Sequence, residues 1–102
     1  MSREWTRHVT DPDGRETVFD AGSHLHLADG QRAWLLDHVE AILGAIERPD
    51  FRDDDPIPGR ERFYRAGFLT PGRWLRVVVD FSERPGWVVT ALDQGNDPRL
   101  KP

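Results

Sequence analysis

Five arginines and a single acid fall between Arg60 and Arg76: Arg60, Arg62, Arg65, Arg73 and Arg76 against Glu61. That stretch carries +4 in a chain whose formal net charge is −4, so the remaining residues carry −8. Guanidinium groups stay protonated and present a planar fork of donors that fits phosphate oxygens. A local cationic surface on an acidic body suits one phosphate-rich segment better than the coating of a duplex. Four histidines, His8, His24, His26 and His38, add groups that titrate near neutrality and can act as acid or base. His24 and His26 form a His-x-His pair that Asp29 or Asp37 could complete as a metal set. No third ligand has convincing spacing, and neither a metal nor any other cofactor is expected. Each of these groups also has a plain structural reading. His26 can pack at a helix entrance, His38 falls beside an apolar stripe, and His8 belongs to a hairpin. Asp53-Asp54-Asp55 is either a cation site or a charged loop, and the arginines can be a solvated face paired with that acidic segment.

The elements that must position these groups follow from periodicity. Trp5 to Val9 and Thr17 to Phe19 are short β-like runs around Asp11-Pro12-Asp13-Gly14, which has the residues of a tight turn. They predict an N-terminal hairpin within residues 1–20. His24 to Leu27 reads as a short helical turn or an extended link. Trp34, Leu35, Val39, Ile42, Leu43 and Ile46 recur at spacings of three and four and predict one main helix over about 31–48, closed by Pro49. Pro49 to Gly59 reads as a polar linker. The period then changes to two, and Arg60 to Ala66, Trp74 to Phe81 and Trp87 to Leu92 predict three strands of a meander. Residues 93–102 read as a tail. The expected fold class is α+β: the hairpin, the helix, then a three- to four-stranded antiparallel sheet.

Alternation sorts the side chains. Leu75, Val77, Val79 and Phe81 share the face toward the helix with Phe63. Arg62, Tyr64, Arg76 and Thr90 share the opposite face, and Trp87, Val89 and Ala91 are taken as inward on the last strand. A chain of 102 residues suits a single domain, 1–102. It is 37% hydrophobic and 31% charged with a mean hydropathy of −0.65, yet four Trp and five Phe provide core area. The absence of cysteine excludes a disulfide scaffold and thiolate chemistry. No apolar run approaches the ~20 residues that span a bilayer, and Met1 to Trp5 lacks a signal-peptide core. A cytoplasmic protein without membrane contact is expected.

Several segments in this order carry a resemblance. They are a His before a helix that ends Glu47-Arg48-Pro49-Asp50, then Pro58-Gly59-Arg60-Glu61-Arg62-Phe63-Tyr64. Arg73-Trp74-Leu75-Arg76-Val77-Val78-Val79-Asp80-Phe81 and Val88-Val89-Thr90-Ala91 follow. Together, over about residues 24–98, they resemble small bacterial and phage domains of the barnase–EndoU–colicin–RelE-like nuclease group of toxin–antitoxin and polymorphic-toxin systems. The resemblance implies a RelE/barnase-like fold and metal-independent cleavage of RNA by attack of the ribose 2′-OH on phosphorus. It places the catalytic roles on His26, Arg62, Arg76 and Thr90. Tyr64, Arg65 and Arg73 become the RNA contacts, with Tyr64 stacking on an unpaired base. Where relatives place a second basic residue after the His, Arg32 is the residue available here. RNA and a cognate antitoxin or immunity protein are the implied partners, with exposed strand edges open to homo-oligomers. The alternative is a non-catalytic member that binds RNA or protein through the same surface.

Overall fold

The computed structural model describes residues 6–20 and 31–100. Six strands and two short helices follow in the order β1 (Thr6–Thr10), β2 (Glu16–Asp20), α1 (Gln31–Asp37), α2 (Val39–Glu47), β3 (Phe51–Asp54), β4 (Arg60–Ala66), β5 (Trp74–Asp80) and β6 (Gly86–Gln94). The strands form one six-stranded sheet in the order β1-β2-β6-β5-β4-β3. This corrects the expected α+β plan of a hairpin, one helix and a three- to four-stranded antiparallel sheet. The chain is mostly sheet, and the sheet is mixed, because β2 runs parallel to β6 through Thr17↔Gly86 and Val18↔Trp87.

Each departure has a local cause. Asp11 closes the β1–β2 turn: its Oδ1 accepts the N–H groups of Asp13 and Arg15 at 3.0 and 2.7 Å, and Gly14 takes φ 83°. The hairpin so formed is a part of the sheet and not a separate unit. The single helix expected over 31–48 is two, divided at His38, which adopts φ −124° and ψ 24°. The His38 ring packs against Trp34 and Phe68, with centroids 4.8 and 5.1 Å away. Its N–H reaches the Leu35 carbonyl at 3.1 Å in a tightened turn. The apolar stripe continues through this break, so its spacing carries no sign of it. The expected linker holds an edge strand, β3, paired to β4 through Phe51↔Tyr64, Arg52↔Phe63, Asp53↔Arg62 and Asp54↔Glu61. Short length and charged side chains are common features of an edge.

Phe63, Leu75, Val77 and Val79 face α1 and α2, and with Phe19, Leu35, Ile42, Ile46, Val88 and Ala91 they form the buried core. Removing such a side chain from water contributes about 1.5–3 kcal/mol. On β6 the inward residues are Val88 and Ala91, not the even alternation expected from Trp87, because the register shifts between Val78↔Thr90 and Val79↔Val88. Val89 is the extra residue of this bulge. Among the described residues no helix is long and apolar enough to cross a membrane.

The sheet curls over its helical face. The β1–β2 turn, near one edge, meets β3 and β4 at the other. Arg15 grips Glu61 with two hydrogen bonds of 2.7 and 2.9 Å and Asp11 with bonds of 2.8 and 2.7 Å. Arg52 bonds to Asp13 at 2.8 Å and to Glu61 at 3.2 Å. The Arg15 guanidinium lies over the Phe81 ring, 3.7 Å from its centroid.

Chiefly through the Arg15 hydrogen bond, the Glu61 carboxyl is held below its ordinary value of 4.5. A depressed carboxyl contributes stability above its unfolded-state pKa and loses it as pH falls through the folded one. The melting temperature is therefore expected to fall between about pH 5 and pH 3. Glu61→Gln should cost about 2 kcal/mol at neutral pH and make that acid-induced fall shallower. Thermal melts of both proteins across the window check this, and an identical acid profile would contradict it.

Candidate functional site

The face away from the helices carries two cross-strand rows. One runs Phe51↔Tyr64↔Arg76↔Leu92, the other Asp53↔Arg62↔Val78↔Thr90. Arg62, Tyr64 and Arg76 thus come together, and they border a pocket of about 860 Å³. Its far walls are the Asp53–Pro56 segment and the end of β6 with the residues that follow it, from Gln94 through Pro98 to Leu100. The expected tail is therefore partly strand, as far as Gln94, and partly pocket wall.

The arginines differ in how their charge is held. Arg60 reaches Asp80 at 3.4 Å. Arg62 donates from Nε to Asp55 Oδ1 at 2.8 Å. Burial lowers the Arg62 pKa, but hydrogen bonds to Asp55 and Tyr64 outweigh it, and the net shift is upward. Burial likewise raises the Asp55 carboxyl, while Arg62 and the Ile57 N–H bring it below its usual range overall. Arg73 forms a two-pronged pair with Asp93 at 3.1 and 2.7 Å. Arg65 donates to the Arg48 carbonyl at 2.6 Å and lies 3.9 Å from Asp50.

Arg76 differs from these four. Among the described residues no acid lies within salt-bridge distance of it, and its Nε is shut off from solvent without a hydrogen-bond partner. It sits on the central part of β5 between Leu75 and Val77, both fully buried. The cross-strand neighbours Tyr64 and Leu92 supply no countercharge.

The other expected site residues distribute as follows. Thr90 shares the pocket's face, but buried Val78 lies between it and Arg62 in the row. Arg65, in register with core-facing Leu75, projects to the helical side, as does the Arg73–Asp93 pair at the sheet's end. Neither arginine borders the pocket. Tyr64 is 2% exposed and packs on Phe51 with centroids 5.8 Å apart, so its ring offers no open face to a base. His26, with His24, Asp29 and the entry to α1, lies outside the described residues. His8 bonds to Glu16 at 2.9 Å on the exposed hairpin. Among the described residues no three His, Asp or Glu side chains gather as a metal set.

Reading the sequence missed Phe51, Gln94 and Asn96 as parts of this site. The Asp53–Arg62 juxtaposition had one available signal, the opposite charges of the acidic segment and the arginine run. A scan against family models finds no match, and none is found among the curated proteins or the solved structures.

Tyr64 is thus a packed residue of this face. Tyr64→Ala is expected to lower unfolding free energy by about 3–5 kcal/mol, whereas Tyr64→Phe keeps the packing. Denaturant titration checks this, and a Tyr64→Ala protein of undiminished stability would return the ring to the surface.

Proposed function

We propose that the chain is a binding domain whose pocket over β3, β4 and β5 seats one anionic group, a phosphate or carboxylate, against Arg76. The observation that carries this reading is the uncompensated guanidinium. A partly buried charge is costly without a countercharge, and four neighbouring arginines have partners that Arg76 lacks. An anion at its terminal nitrogens offsets that cost with charge-assisted bonds. Arg62 stands alongside, neutralised by Asp55.

The pocket does not suit a long polyanion. The arginine run that reads as +4 in sequence is mostly engaged within the fold, so RNA would meet one phosphate-binding point rather than a tract. Titration with inorganic phosphate followed by amide NMR shifts tests the proposal. Binding should perturb Arg76 and its row, and Arg76→Gln should weaken it about tenfold or more. Equal binding by both proteins would refute the assignment.

The RNA-cleavage reading implied by the resemblance is favoured by one further observation: Arg62, Arg76 and Thr90 share a sheet face. It requires His26 as the acid or base. Incubation of a single-stranded RNA with EDTA present should then yield 2′,3′-cyclic ends, lost in His26→Ala and in Arg76→Gln. Intact RNA with retained phosphate binding would leave the binding domain without the nuclease.

A further inference from the structure

We infer that the seat at Arg76 takes a singly charged anion with two equivalent oxygens, a phosphodiester or a carboxylate, and disfavours the doubly charged phosphate of a monoester. This deepens the anion-binding reading above and rests on it. A guanidinium can meet an oxyanion side-on, through Nε and one terminal nitrogen, or end-on, through both terminal nitrogens. The side-on approach is closed here, because Nε of Arg76 is shut off from solvent. The terminal nitrogens remain to face the pocket that Arg76 borders. End-on, they pair with two acceptor oxygens. A carboxylate has two, and a phosphodiester has two that are not esterified. A monoester has three, and at neutral pH and above it carries most of a second negative charge. That charge, with the third oxygen, needs a further cation.

No second cation stands free on the described lining. Arg62 is the other cation there. Its Nε is held by Asp55 at 2.8 Å, and Asp53 faces it across the β3–β4 ladder. One guanidinium thus stands between two carboxylates. On the far wall both oxygens of Asp97 are occupied by Arg99, at 3.0 and 2.8 Å. The Arg99 guanidinium itself lies over the Trp74 ring, 5.2 Å from its centroid. The side-chain amide of Gln94 is engaged as well, donating to the Asn96 carbonyl at 2.7 Å. A second ligand charge would therefore meet carboxylate oxygens and closed ion pairs, and its removal from water would go uncompensated. Affinity comes from Arg76 and discrimination from the walls, a division in which the repulsive element sets the specificity.

The test uses the whole chain and two phosphates derived from isomeric acids. At about pH 8 dimethyl phosphate carries one negative charge and ethyl phosphate carries two. Each is titrated at fixed ionic strength and followed by the amide NMR shifts of the Arg76 row. At an isolated guanidinium the dianion would bind more tightly, as Coulomb attraction grows with charge. Here dimethyl phosphate is expected to bind at least as tightly as ethyl phosphate. Asp55→Asn, which keeps an acceptor for the Ile57 N–H and releases Arg62, should tighten ethyl phosphate about threefold or more and dimethyl phosphate less. Its melting temperature confirms that it folds. Butanoate is the third probe: binding tighter than that of dimethyl phosphate would name a carboxylic acid as the ligand, and the reverse order a phosphodiester. A preference of the native protein for ethyl phosphate, or an equal response of both phosphates to Asp55→Asn, would overturn the inference and leave the anion seat standing. No binding of any probe would overturn both readings.

Discussion

The fold depends on the Arg15 guanidinium, held by Glu61 and Asp11 and resting on the Phe81 ring. A six-stranded sheet with β1 at one edge and β3 at the other has, among the described residues, two helices of 7 and 9 residues to cover its apolar face. Curling the sheet makes that cover possible, because α2 then packs against β1, β4 and β5 together. The curl needs a fastening where the β1–β2 turn arrives over β4. Carbon contacts alone would leave that meeting free to slide. A guanidinium gripping two carboxylates fixes it in position and direction. Asp11 is the anchor of this fastening: its side chain is fully buried, and it holds its own turn while holding Arg15. Charges withdrawn from water in this way are tolerable because each has a partner of opposite sign.

The same rule governs the arginine run. Lone arginines on a β-sheet are costly to half-bury and cheap to expose, so their neighbours decide what they do. Asp80, Asp55 and Asp93 each stand beside an arginine of the run between Arg60 and Arg76. The sum of charges along that segment is therefore not the potential of its surface. One of these pairs, Arg60–Asp80, joins residues of neighbouring strands directly, and all three stiffen the meander more than they attract anything to it. Arg76 escapes because its row offers an aromatic ring and an aliphatic side chain where the other rows offer carboxylates.

Much of this was legible where one period held without interruption. Alternation in Arg60–Ala66 and Trp74–Phe81 assigns Phe63, Leu75, Val77 and Val79 to the helical side and Arg62, Tyr64 and Arg76 to the other, and the sheet has them there. Legibility failed where tertiary contacts decide. His38 breaks the helix for the sake of Trp34 and Phe68, neither of which alters the spacing of the stripe. Phe51 to Asp54 becomes a strand because β4 offers it a partner, in spite of three consecutive aspartates. The bulge at Val89 lies within Val88-Val89, where both residues are apolar and no local preference marks which one is extra. The pairing of β2 with β6 covers two register positions separated by most of the chain, and short parallel pairings of that kind have no sequence period of their own. Pairing of the arginines is intermediate: opposite charges were visible, but which acid meets which arginine required the register.

The placement of Arg76 has a consequence for what the pocket can do. Its backbone is fixed by Leu75 and Val77 on either side, both fully buried in the core, and by strands paired on both edges of β5. An arginine on a mobile rim loses rotamer freedom when it grips an anion, which consumes much of the gain. Here the stem is already confined, and burial of Nε confines it further. β4 contributes to the same rigidity, since Phe63 is locked in the core between Arg62 and Tyr64 on the pocket side. A single preorganised guanidinium can therefore hold a small anion where a row of exposed ones would hold it no better. The alternation of one strand between core and pocket makes the site as rigid as the fold, so substitutions that loosen the core should also loosen the seat.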